Sequence, residues 1–254
     1  LYEKLITVDK VDLIQGPYAT APILAAMGVA QRYGKVMIQS SMGIPKLQTY
    51  DRAFPATPFG PEPDKTYPNV ILDAVATFPT PPKSMVVLTS KFPSAQFMAL
   101  GMKEQAEKRG VKVALYLEYE SGNRDFGAIA TRLKEVNADF LWVGAVGLEG
   151  NLLIDAMKKV DYRPALQFHM FPAPGPMSKS PDGKGVAFLA TTSPSRADQD
   201  LEKQRGRPIV RDSAYASEYT RVWTVTMTCS QPAWPALAMQ ASSSSTQSHG
   251  SETQ

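Results

Sequence analysis

Three short apolar runs, "VVLTS" from Val86, "VALYLE" from Val113 and "FLWVG" from Phe140, begin 27 residues apart. The gaps between and after them hold segments of helical periodicity. In "RDFGAIATRLKEV" the residues Phe126, Ile129, Ala130 and Leu133 share one face. In "NLLIDAMKKV" the residues Leu152, Leu153, Ala156, Met157 and Val160 do the same. Strands alternating with helices at this spacing predict a parallel sheet with helices on both faces. An α/β fold is therefore expected.

The pattern extends both ways. Further strands are expected near Leu166–His169 and Val186–Ala190. Upstream, "VDLIQG" (Val11–Gly16) reads as a strand, and "APILAAMGVAQRYG" as a helix with Pro22 near its first turn and Gly34 as its stop. "KVMIQSS" begins another strand. The proline-rich stretch from Pro45 to Pro68 argues against regular helix or central strand, so a surface excursion is expected, then a helix at about Asn69–Phe78. Ser94 reads as an N-cap and Gly110 as the stop of the helix between them. "PTPPK" (Pro79–Lys83) reads as a linker. The expected organisation is a partial first lobe over 1–80 and a second lobe over 81–192. Residues 193–254 would return toward the first lobe and end in a low-complexity tail, with disorder in the last dozen residues. Two lobes with two crossings describe a hinge.

Composition removes several functions. Lys plus Arg total 27 against 24 acids, a net charge of +3, so no clustered basic face for nucleic acid is indicated. The one local excess, Lys203 to Arg211, reads as a solvated loop. One cysteine, Cys229, allows no internal disulfide and no thiolate cluster, and two histidines allow no His-rich metal site. No metal and no cofactor are expected. No apolar run approaches the roughly 18 residues of a membrane span.

"DFLWVGAVGLEGNLLIDAMKKV" (Asp139–Val160) has the strand, glycine loop and helix of a dinucleotide-binding turn. Its Gly144, Gly147 and Gly150 are spaced G-x-x-G-x-x-G, however, with Val146 where the fingerprint needs its second glycine. Asp161 falls in a turn and not at the end of the next strand. No G-x-S-x-G elbow, P-loop or H-E-x-x-H is present. Glu118 and Glu120 form either a carboxylate pair or a solvated strand end, and His169 is either a satisfied structural residue or a pocket wall.

Small or polar loops follow the strands: "QGPYATAP", "QSSMGIP", "TSKFPS", "GAVGLEG" and "FHMFPAPG". In open parallel sheets ligands bind beyond the carboxyl ends of the strands, and helix N-termini there favour anions. Thr20, Ser40 and Ser41 supply hydroxyls, and Tyr18, Phe92, Phe168 and Phe171 supply aromatic wall. That chemistry suits a small carboxylate with an apolar or aromatic body.

Across "VDLIQGPYATAP…YGKVMIQSS" and "GNRDFGAIATRLKEVNADFLWVGAVGLEGNLLIDAMKK" the chain resembles the solute-binding proteins of branched-chain amino acid (amino acid/amide) ABC transporters. The resemblance covers about residues 1–195. It implies two Rossmann-like lobes joined by a hinge, the type I periplasmic-binding fold, with the first lobe incomplete. It implies a periplasmic or extracellular receptor that is not an enzyme and delivers its ligand to a membrane permease. The resemblance also implies the ligand contacts. Tyr18, Ala19 and Thr20 would hold the carboxylate, with Ala19 where Ser is common. Ser41, Met42 and Gly43 would add contacts, and Phe92, Gly147, Leu148 and Phe171 would close from the second lobe. Amino acid-binding members usually carry an acid after the fourth strand of that lobe, and "FHMFPAPG" has none, so an aromatic or aliphatic acid or an amide is expected ahead of the branched-chain amino acid that the family also implies.

Relatives begin further upstream and end in an Ala-rich helix that this sequence lacks. A shifted frame over "WPALAMQASS" would read "AGVGYASFK", like that helix, so a frameshift is expected and resequencing tests it. The alternatives at this point are an α/β enzyme acting on a carboxylate or amide, a sensory ligand-binding domain, and a truncated fragment that binds nothing.

Overall fold

The computed structural model describes residues 1–40, 42–56, 60–172, 176, 181–183 and 186–188. The expected crossing after Thr192, the tail and the altered C-terminus lie outside the described residues. In chain order the elements are α1 (Tyr2–Thr7), β1 (Leu13–Gln15), α2 (Thr20–Arg32), β2 (Val36–Gln39), a 3-10 turn (Pro45–Leu47), β3 (Ala53–Pro55) and α3 (Pro63–Ala76). There follow β4 (Ser84–Ser90), α4 (Pro93–Lys108), β5 (Lys112–Tyr119), α5 (Gly127–Val136), β6 (Phe140–Gly147), α6 (Glu149–Lys159), β7 (Leu166–Pro172) and β8 (Val186–Phe188). All strand pairs are parallel, in one sheet ordered β1-β2-β3 and another ordered β5-β4-β6-β7-β8.

The evenly spaced strands form the centre of the second sheet. β4 and β6 are buried almost end to end, as strands covered on both faces must be. Alternation divides their side chains between two cores. Met85, Val87, Phe140 and Trp142 meet α3 and α4 through Ile71, Leu72, Met98 and Met102. Val86, Leu88, Leu141 and Val143 meet α5 and α6 through Ala130, Leu133, Leu153 and Met157. The first sheet has a smaller core of Ile14, Ile23, Met27, Met37 and Ala53 on the side of α2. On its other face Leu13, Val36, Ile38 and Phe54 stay exposed, at 57%, 37%, 40% and 52%.

Three local expectations need correction. Leu152 is exposed, and Ile154 takes its place in the core. Ser94 does not cap α4: Phe92 is the cap and Pro93 occupies the first helical position, where its missing N–H costs nothing. The largest correction concerns α3, which begins at Pro63 and continues through Pro68. Its Tyr67, Ile71, Leu72 and Val75 are buried in the core of the second sheet. By packing, α3 joins the second lobe, although the sequence pattern assigned residues up to 80 to the first.

A proline inside a helix leaves the carbonyl four residues earlier without its usual donor. For Pro68 that carbonyl belongs to Asp64, and it faces Gly101 of α4. A Cβ on Gly101 would lie 2.0 Å from the Asp64 oxygen and 2.8 Å from its carbon. The two helices thus touch where one has a broken ladder and the other has no side chain. Helix propensity alone favours Gly101→Ala by about 1 kcal/mol. Overpacking against a backbone carbonyl, which cannot swing aside, costs about 1–3 kcal/mol and wins. With the Cβ only 2.0 Å from the Asp64 oxygen the cost falls at the upper end of that range, and Gly101→Ala is expected to lower the unfolding free energy by up to about 2 kcal/mol in urea melts. A variant as stable as the parent would show that α3 shifts freely on α4.

Candidate functional site

The order β5-β4-β6 places a switch point between β4 and β6, because the chain leaves β4 for one neighbour and then crosses to the other. Ligands of open parallel sheets bind in the crevice at such a point, beyond the carboxyl ends of the strands. A cleft lies there, between the lobes, lined by Tyr18, Ala19 and Gly43 from the first and Phe92, Ser94, Val146 and Phe171 from the second. At this separation of the lobes its volume is about 20 Å³, room for about one water molecule. A carboxylate with an apolar body enters only if the lobes part.

The residues that meet across the cleft fit closely. A Cβ on Gly43 would come within 2.8 Å of the Ser94 Cβ, so only glycine permits this approach. The Gly43 N–H donates to the buried Thr20 hydroxyl at 3.1 Å, which ties the second loop of the first lobe to the start of α2. The Lys46 ammonium adds a second contact between lobes, 4.9 Å from the centre of the Phe97 ring. Two residues with left-handed backbone face the cleft, Ala19 (φ 75) and Phe171 (φ 58). Ala19 caps α2 at φ 75 and ψ 151, a conformation that is essentially reserved for glycine. Such strain persists only where the surrounding structure imposes it, and it clusters at ligand sites.

Of the residues expected at the site, Tyr18, Ala19, Gly43, Phe92 and Phe171 come together in the cleft, and Thr20 stands directly behind Gly43. Met42 turns away into the core of the first lobe. Gly147 and Leu148 are not in the lining, and Leu148 is exposed. Ser41 is outside the described residues. Phe168, expected as aromatic wall, lies on the core face of β7 beside Trp142. Ser94 and Val146 were not anticipated. In the sequence pattern Ser94 has the look of a cap, and Val146 stands where a glycine fingerprint needs its second glycine.

The other candidates resolve as structure. Glu118 accepts from Gln96 and Tyr116, each at 3.1 Å, and Glu120 pairs with Lys91, both carboxylates being exposed. His169 is buried, its Nε2 against the Gln167 amide and its Nδ1 without a hydrogen-bond partner among the described residues. A larger cavity of about 1070 Å³ opens at the other end of the second sheet, at the amino ends of β4, β6 and β7. Its Asp139 and Asp182 are already engaged by Ser84 and Lys158, and it is remote from the switch point. No group of three or more His, Cys, Asp or Glu among the described residues could hold a metal ion.

With this geometry in view, the chain can be set beside known proteins. A family model described as periplasmic binding protein matches residues 1–226, and the chain belongs to that family. It is 30% identical over 77 residues to a leucine-, isoleucine-, valine-, threonine- and alanine-binding protein of Pseudomonas aeruginosa, a match covering 30% of this chain and 21% of that protein. Among solved structures, an extracellular ligand-binding receptor from Rhodopseudomonas palustris has a TM-score of 0.62 at 16% identity, covering 82% of this chain and 60% of that one. A solute-binding protein of an ABC transporter from Rhodopseudomonas palustris BisB5, in complex with 3,4-dihydroxybenzoic acid, has a TM-score of 0.62 at 19% identity over 82% of this chain and 59% of its own. A branched-chain amino acid transporter substrate-binding protein from Streptococcus pneumoniae, in complex with isoleucine, has a TM-score of 0.59 at 16% identity, covering 81% and 60%. These likenesses establish the α/β two-lobed fold. The chain spans about 60% of the length of these structural relatives. No helix among the described residues is long and apolar enough to cross a membrane.

Two outcomes follow from the backbone and the buried ring. Ala19→Gly relieves the strain at the α2 cap and is expected to raise stability by about 1 kcal/mol, read from urea melts. Burial holds the His169 ring down to about 3, against 6.5 in an exposed imidazole. Because the unfolded chain takes up this proton first, the stabilisation is complete above pH 6.5 and is lost as pH falls from there toward 3. The fall has a slope of about 1.4 kcal/mol per pH unit, and His169→Gln should remove most of it in melts at roughly pH 6, 5 and 4.

Proposed function

We propose that this periplasmic binding protein is an extracytoplasmic receptor. It takes up a small carboxylate or amide without an ammonium group and presents it to the membrane permease of an ABC transporter. The observation that carries this reading is the lining of the cleft: backbone, a serine, aromatic rings and small apolar groups, with no ionisable acid or base other than the Tyr18 phenol among its described residues. The amino ends of α2 and α4 converge there, and free N–H groups at a helix start favour an anion. Tyr18, Phe92 and Phe171 offer an apolar or aromatic body its walls.

An α-ammonium group enclosed among these residues would stand unpaired, at a cost of several kcal/mol. The ligand class is therefore an aromatic or aliphatic acid, or an amide. The relative that holds 3,4-dihydroxybenzoic acid supports the aromatic choice, and the one that holds isoleucine marks the competing choice. Binding works by hinge motion, the lobes parting to admit the ligand and closing over it. An enzyme on this scaffold would need a nucleophile and base in the same cleft, and the described lining supplies a single serine hydroxyl with no histidine or carboxylate beside it.

Thermal melts with benzoate, 3,4-dihydroxybenzoate, aliphatic acids, amides, leucine and valine test this reading. A ligand at about 100 times its dissociation constant adds roughly 2.7 kcal/mol and raises the midpoint. The expected result is a rise with carboxylates that lack the amine. A larger rise with leucine or valine would overturn the ligand class, and a cooperative melt unmoved by every compound would count against a receptor for this panel.

A further inference from the structure

We infer that Glu149 is a built-in anion: the chain's own carboxylate sits at the amino end of α6, held by donors from β5, the loop after it and β6, and the second lobe thereby refuses a second anionic group on the ligand. The ligand part of this inference rests on the cleft being a carboxylate site.

Glu149 is the first residue of α6, directly after the switch-point strand β6, and is buried. Both of its oxygens are engaged. Oε1 accepts from the Gly122 N–H at 2.7 Å, and Oε2 accepts from the Val146 N–H and the Tyr119 hydroxyl, each at 3.0 Å. These donors come from β5, the loop after it and β6, and two backbone N–H groups with a hydroxyl are a set that can hold a carboxylate. Here they hold a side chain. Tyr119 is buried with its ring edge-on to Phe126, centroids 5.1 Å apart, so its hydroxyl has a fixed direction. Burial and the adjacent Glu149 carboxylate push the phenol further above its ordinary range, so it remains a donor.

The network reaches the cleft at two places. Val146 lines it directly. Tyr119 also accepts, through its carbonyl, from the Lys91 N–H at 2.8 Å, and Lys91 precedes Phe92, another lining residue. The Glu149 charge offsets the positive end of the α6 dipole, and no cation among the described lining residues offers a place for a second anion beside the one proposed between α2 and α4. Glu149 has no oxygen to spare for a ligand ammonium either. The ligand is then a monoanion with an uncharged body.

Acetate rescue tests the first half without any knowledge of the ligand. The chain carrying Glu149→Ala is melted in acetate and in chloride at equal ionic strength, beside the parent. Its midpoint is expected to rise with acetate beyond the chloride control, and the parent's is not. Equal response of both proteins to the two salts would overturn the inference. If that variant does not fold, the parent's amide resonances at Gly122 and Val146 decide. Movement of both together as one carboxyl protonates supports the network, and independent behaviour overturns it. For the second half, the parent should prefer benzoate over terephthalate by about tenfold or more, and the isosteric Glu149→Gln should narrow that preference several-fold. Terephthalate binding as tightly as benzoate to the parent would overturn it. If neither binds the parent, the proposed ligand class falls, while acetate rescue still decides the role of Glu149.

Discussion

The second lobe depends on the burial of β4 and β6 on both faces at once. A strand covered on both sides cannot slip by one residue without exchanging its two cores, so the register of the sheet is fixed by side-chain volume as well as by hydrogen bonds. That register sets where each strand ends. The cleft residues Phe92, Val146 and Phe171 lie at or just beyond these ends, and their placement follows from the packing of Met85 to Leu88 and Phe140 to Val143. The core thus aims the site.

The cleft itself is made more by backbone than by side chains. Gly43 lets one lobe touch the other, Ala19 and Phe171 hold left-handed conformations, and the amino ends of α2 and α4 supply polarity. Side chains contribute walls. In the proposed receptor such a division fits one scaffold to many small ligands, since walls can change while the backbone of the cleft is kept. Family membership, the parallel two-lobed fold and the chemistry of the lining point the same way.

The repeating strand and helix pattern was legible because it rests on local periodicity, as were the strands at Val86, Val113 and Phe140. The site was partly legible for a related reason: residues after strands in a parallel sheet gather at one end, which brought Tyr18, Ala19, Gly43, Phe92 and Phe171 together. What could not be read depends on partners distant in sequence. Pro68 looks like a barrier to helix, and α3 runs through it because the freed Asp64 carbonyl meets Gly101 on another helix. Met42 and Phe168 have the chemistry of pocket residues, but their orientation turns them into cores. Glu149 drew no notice because its donors come from Tyr119 and Gly122 as well as nearby Val146.

The uneven covering of the two sheets bears on how such a chain is made. The first lobe leaves the ribosome first, yet its sheet has a helix layer on one face only among the described residues, with Leu13, Val36, Ile38 and Phe54 open on the other. The α4 surface on which its Gly43 loop rests is synthesised later. Small cores with unpaired apolar faces open most readily, and they are the part of a growing chain most exposed to association. Among the described residues, then, the earlier sheet carries the smaller core and rests its Gly43 loop on a helix that follows it in the chain.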